Sequence, residues 1–155
     1  MSFPLFNKQL LSESRIIELG SGTGMLTMLL SPLCLSYTAT DLYENMRLVS
    51  RNIELNQRSH GRPAKGTEIA LEELDWVATS TSKYQVESVI GKGYDLVLAV
   101  DCIYNEYLTG PFIETLSTLC PEGDSTMALV VVELRSADVV SSKECEESLW
   151  RGLIK

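Results

Sequence analysis

Three glycines at alternate positions stand in Glu18-Leu19-Gly20-Ser21-Gly22-Thr23-Gly24, after a short apolar run and before a stretch rich in leucine and methionine. Glycines so placed allow a tight turn and let the backbone approach a ligand closely. The Gly-x-Gly-x-Gly spacing lacks the later third glycine of the dinucleotide fingerprint. Alone it fits an ordinary strand-to-helix turn equally well. Asp41 sharpens it, because it lies about 20 residues further on, the distance at which nucleotide-binding units carry an acid. That residue closes a run of strand formers, Ser36-Tyr37-Thr38-Ala39-Thr40. A carboxylate there is placed to accept hydrogen bonds from two ribose hydroxyls.

Two more groups carry chemistry. Leu74-Asp75-Trp76 pairs an acceptor with an aromatic face, which suits a purine; the other reading is a surface Asp beside a core Trp. Asp101-Cys102-Ile103-Tyr104 comes at the end of the clearest strand of the chain. Asp101 also reads as a helix cap, and Tyr104 as a packed ring with its hydroxyl at the surface. The cysteines, Cys34, Cys102, Cys120 and Cys145, form no CxxC pair, and His60 is the single histidine. Zinc needs clustered ligands, so no metal site is expected. The thiols read as small reduced hydrophobes of a cytosolic or nuclear protein.

The elements that must position these residues follow from the apolar pattern. Arg15 to Leu19 is a short buried strand stopped by Gly20, and Met25 to Leu30 is helical up to Ser31-Pro32. Leu42 to Leu55 has helical spacing, with Met46, Val49 and Ile53 on one side. Gln57 to Gly66 is expected to be a loop, and Thr67 to Leu71 a third strand. Ala78 to Gly93 is expected to be a loop with a short helix. Tyr94 to Asp101 is the clearest strand. Leu108 to Leu119 is a helix stopped by Pro121 and Gly123, Met127 to Leu134 a strand, and Lys143 to Ile154 a helix. Strands alternating with helices imply a parallel sheet covered on both faces. Right-handed crossovers bring all strand C-termini to one edge, where ligands bind.

The 155 residues suit one domain, 45% of them apolar, enough for a core without staples. A net charge of -8 lacks the basic footprint of a nucleic-acid binder and favours a basic, lysine-rich partner. No apolar run approaches the ~18 residues of a membrane span, and the N-terminus lacks the features of a signal peptide.

On ELGSGTG, on Asp41 and on the motif loops, the sequence resembles the S-adenosylmethionine-dependent methyltransferases. The Asp101-x-x-Tyr104 loop, with Asn105-Glu106-Tyr107-Leu108, Pro111-Phe112 and Leu134-Arg135-Ser136, resembles their protein-lysine branch, methyltransferase family sixteen. That branch includes the methyltransferase-like 21 type and the fungal ribosomal lysine N-methyltransferases, to which the chain is most similar.

The resemblance implies a Rossmann-like, doubly wound α/β fold of the class I methyltransferase type. It implies S-adenosyl-L-methionine as cofactor and S-adenosyl-L-homocysteine as product. Gly20, Ser21, Gly22, Thr23 and Gly24 would lie beside the amino-acid part, and Glu18 would orient its ammonium directly or through water. Asp41 and Leu42 would meet the ribose, Asp75 and Trp76 the adenine, and Val100 would complete the cofactor shell. Asp101 and Tyr104 would be catalytic, acting on a lysine of a protein substrate, ribosomal or translation-related. Family members usually begin with a longer N-terminal section and end in an antiparallel hairpin. Residues 1–155 are therefore expected to be a single domain truncated at both ends and lacking that hairpin, monomeric, in cytoplasm or nucleus. A non-catalytic binding module and a methyltransferase for another substrate class remain the alternatives.

Overall fold

The computed structural model describes residues 8–60, 68–81, 89, 91–103 and 105–132. Five parallel strands run β1 (Arg15–Leu19), β2 (Ser36–Asp41), β3 (Glu68–Glu73), β4 (Leu96–Val100) and β5 (Met127–Val131), in the spatial order β3-β2-β1-β4-β5. The helices are α1 (Lys8–Glu13), α2 (Met25–Leu30), α3 (Tyr43–His60), α4 (Trp76–Thr81) and α5 (Glu106–Leu119). The strand order reverses beside β1, which pairs with β2 on one side and β4 on the other. This is the expected doubly wound arrangement, and its switch point lies over the C-terminal ends of β1 and β4.

The central strands are apolar because both their faces are covered. Ile16, Tyr37, Ala39, Leu96 and Leu98 pack under Val49 and Ile53 of α3, with Leu11, Met28 and Met46 alongside. On the other face Ile17, Leu19, Val97 and Ala99 pack against Phe112, Leu116 and Leu119 of α5. The buried threonines of β2 are satisfied: Thr40 Oγ1 donates to the Glu18 carbonyl at 2.6 Å, and the Tyr94 hydroxyl donates to Thr38 Oγ1 at 3.4 Å. β3 and β5 end the described sheet and are correspondingly less buried.

The structure moves several expected boundaries. α3 continues to His60 through residues read as a loop, since the polar stretch after Leu55 contains no breaker before Gly61. α5 starts at Glu106 rather than Leu108, because Asn105 caps it: its Oδ1 accepts from the Tyr107 N–H at 3.1 Å. β4 is confined to Leu96–Val100, and β5 stops at Val131. α1 was not anticipated, having too few apolar residues to show a period. The expected helix over 143–154 and the Leu134-Arg135-Ser136 stretch lie outside the described residues, as does Tyr104.

Candidate active site

The glycine turn joins β1 to α2 at the switch point. Gly20 has φ +69°, and a Cβ there would stand 2.8 Å from the Cys102 Cβ and 3.5 Å from the Trp76 ring. Only glycine allows both this left-handed backbone and this closeness. Gly22, with φ +54°, has open space where a side chain would be. The Ser21 N–H donates to the Thr40 carbonyl at 2.9 Å, tying the turn to the end of β2.

Asp41, the last residue of β2, reaches back to that turn. Its Oδ2 accepts from the Gly22 N–H at 2.6 Å, and its Oδ1 accepts from the Leu42 N–H and from Asn45 Nδ2, both at 2.8 Å. Beyond β3, Asp75 caps α4: Oδ1 accepts from the Val77 N–H at 2.9 Å and the Ala78 N–H at 3.3 Å. Its Oδ2 has no partner among the described residues, so capping leaves that oxygen available. Trp76 packs edge-on against Phe112, with ring centroids 5.2 Å apart and planes at 67°. The Trp76 ring is thereby held between α5 and the glycine turn.

Asp101 leaves β4 with φ +51°, the one described non-glycine residue with positive φ. Asp tolerates this region better than most residues, at a local cost of about 1 kcal/mol or more. Its N–H donates to the Val131 carbonyl at 2.8 Å, which fixes it at the sheet edge. Helix capping, the alternative role for Asp101, belongs to Asn105 instead.

These residues surround one cavity of about 230 Å³. Gly20, Gly22, Asp41, Leu42, Asp75, Trp76 and Asp101 line it. Four lining residues were not anticipated: Asn45, Leu74, Cys102 and Leu108. The signal for Asn45 was its position one helical turn after Asp41; for Cys102 it was only adjacency to Asp101. Ser21, Thr23, Gly24 and Val100 are not among the residues that line it, and the Ser21 hydroxyl is buried without a hydrogen-bond partner among the described residues.

Glu18 also lies away from the cavity. It is 3% exposed, and its Oε2 accepts from Thr27 Oγ1 at 2.9 Å and from the Tyr37 hydroxyl at 2.8 Å. Burial pushes its carboxyl above the usual range, opposed by these two hydrogen bonds. Burial and then the Glu18 charge push the Tyr37 hydroxyl upward, so it stays a donor. Among the described residues no group of His, Cys, Asp and Glu could hold a metal ion.

The structural likeness is to a SAM-dependent methyltransferase of Methanosarcina mazei, with a TM-score of 0.51 at 16% identity, covering 76% of this chain and 52% of that one; it speaks for the fold alone. Among curated relatives, ribosomal lysine N-methyltransferase 5 of Kluyveromyces lactis is 31% identical over 150 residues, 81% of this chain and 47% of that protein. Protein-lysine methyltransferase METTL21E of Bos taurus is 28% identical over 125 residues, 81% of this chain and 40% of that protein. A diaminohydroxyphosphoribosylamino-pyrimidine deaminase of Schizosaccharomyces pombe is 29% identical over 136 residues, 87% of this chain but 31% of that protein. Residues 1–155 contain neither the H-x-E nor the P-C-x-x-C pattern of zinc deaminases. The chain spans less than half the length of these curated relatives. The lysine methyltransferase family model matches residues 3–145, and with the parallel sheet and its glycine turn this establishes that the chain belongs to the lysine methyltransferase family.

Proposed function

We propose that this domain binds S-adenosylmethionine in the cavity and methylates a lysine side chain of a protein, one of the ribosomal or translation machinery. The observation that carries the reading is the convergence of the glycine turn, Asp41, Asp75, Trp76 and Asp101 on one cavity at the switch point. The chemistry of the lining fits an adenosyl group. Asp75 keeps a free acceptor for a purine amino group, Trp76 offers a ring, and Asp41 stands ready for a sugar diol. Leu42, Leu74 and Leu108 supply apolar wall between these polar points.

When bound, the cofactor supplies an electrophilic methyl group on a positively charged sulfur. The chain's own work is alignment and proton handling. A lysine amine ordinarily titrates near 10.4 and must lose a proton before it can act as a nucleophile. Asp101, held at the end of β4, accepts the hydrogen bond of the incoming ammonium, orients the nitrogen and takes its proton through water. Tyr104, three residues after Asp101 in the sequence, is proposed to line the lysine channel, and Glu18 to orient the cofactor ammonium directly or through water. The net charge of -8 favours a basic substrate segment. The reading extends to a single monomeric domain over residues 1–155, acting in cytoplasm or nucleus without binding nucleic acid. No helix among the described residues is long and apolar enough to cross a membrane.

The test is transfer of a labelled methyl group into a lysate of cells that lack the protein, followed by mapping of the labelled residue. One or a few proteins labelled on lysine support the reading, and Asp101→Ala is expected to abolish the label while retaining cofactor affinity. Label on another residue type, or wild-type labelling by Asp101→Ala, would refute it.

A further inference from the structure

We propose that Asn45 is a second acceptor for the ribose diol and, at the same time, the residue that positions Asp41; the inference rests on the functional reading above. It begins from a count of lone pairs. An ionised carboxylate has about four acceptor sites. Asp41 already receives three hydrogen bonds, from the Gly22 N–H, the Leu42 N–H and Asn45 Nδ2. One site is left, too few for both hydroxyls of a ribose unless an existing bond is displaced.

Asn45 resolves the shortage. It stands in the first turn of α3 and lines the same cavity. Because Asp41 only accepts, the amide must turn its nitrogen toward it, so the orientation follows from chemistry. The carbonyl Oδ1 then has no partner among the described residues. The pair thus offers two acceptors side by side, the remaining Asp41 site and Asn45 Oδ1, for two adjacent hydroxyl donors. A side chain able to donate to Asp41 and accept from the sugar does both jobs; an apolar one does neither.

Two variants test this by titration of S-adenosylhomocysteine into the protein. Asn45→Leu is expected to weaken binding by about tenfold or more at every pH, as befits lost hydrogen bonds to a charged partner and a ligand. Asn45→Asp places a second carboxyl within hydrogen-bond distance of Asp41. At about pH 8 both are charged and repel, and binding should fall by a similar factor. Toward about pH 5 the pair shares one proton, which restores a donor to Asp41 and a carbonyl to the sugar, so affinity should return to within about threefold of wild type.

Among the described residues the other titratable groups near Asp41 are Glu73, its register partner on β3, Tyr43 and Glu44 at the start of α3, Asp75 and Asp101 lining the same cavity, Glu18, and Cys102, whose buried thiol is pushed up to about 12. All are common to every variant, so the difference from the wild-type profile isolates the new carboxyl. A merely structural Asn45 would not give acid rescue. Binding by Asn45→Leu within twofold of wild type, or an Asn45→Asp profile parallel to wild type, would overturn the inference alone. Should Asn45→Leu fail to fold, the Asn45→Asp profile still decides. A wild-type protein that does not bind S-adenosylhomocysteine would take the functional reading down with it.

Discussion

Gly20→Ala is the perturbation for which the structure supplies the most arithmetic. The backbone at Gly20 is left-handed, with φ +69°; a residue with a Cβ pays about 1–2 kcal/mol to remain there. The new methyl would sit 2.8 Å from the Cys102 Cβ, where ordinary contact begins at 3.4 Å. Cys102 is buried and follows Asp101, itself held at positive φ and bonded to Val131. It therefore has little room to retreat, and overpacking of this kind costs about 1–3 kcal/mol. Together the two effects remove about 2–5 kcal/mol from a stability of about 5–15 kcal/mol. With a urea slope of about 2 kcal/mol per M, the unfolding midpoint should fall by about 1–2.5 M. The two causes separate in a double-mutant cycle. Adding Cys102→Gly removes the colliding atom, so Gly20→Ala should cost only its backbone share in that background. The reasoning is refuted if Gly20→Ala moves the midpoint by less than about 0.3 M urea, or if its cost is the same with and without the Cys102 side chain.

Two further outcomes follow from the hydrogen bonding. Asp75→Asn keeps the cap on α4 but turns a free acceptor toward donation, so it should weaken S-adenosylhomocysteine binding at little cost in stability; Asp75→Ala should lose both, including about 1 kcal/mol from the cap. Parallel calorimetric titration and thermal melts separate the two oxygens, and equal binding by wild type and Asp75→Asn would remove Asp75 from the adenine contact. For Glu18 the folded carboxyl titrates above its unfolded value because of burial. Between those two values the folded state binds more protons, so stability should be highest below the unfolded value near 4.5 and decline as pH rises to the folded one. Urea melts across this window should show the slope in wild type and its loss in Glu18→Gln; a stability that rises with pH through the window and is unchanged by the substitution would contradict the assignment.

Much of this was legible in the sequence because the informative residues stand directly after apolar runs. β1 and β4 show themselves by residues buried on both faces, so Gly20, Asp41 and Asp101 could be placed at one sheet edge before any coordinates. What stayed hidden depends on partners distant in the chain. Glu18 reads as a ligand from its place in the motif, while the hydrogen bonds that its Oε2 accepts from Thr27 and Tyr37, out of α2 and β2, show only in the folded chain. Asn45 stands four residues after Asp41, but its part in the site emerges only when the three donors on Asp41 are counted. The capping of α5 by Asn105, rather than by Asp101, rests on a single backbone contact that propensity does not reveal.

The most direct measurement is a crystal structure of the protein grown with S-adenosylhomocysteine. The account predicts adenine beside Trp76 with its amino group on Asp75 Oδ2, the sugar hydroxyls against Asp41, and the sulfur facing Asp101. Ligand density at any other place on the molecule, with Gly22, Asp41 and Asp75 making no contact to it, would contradict the account.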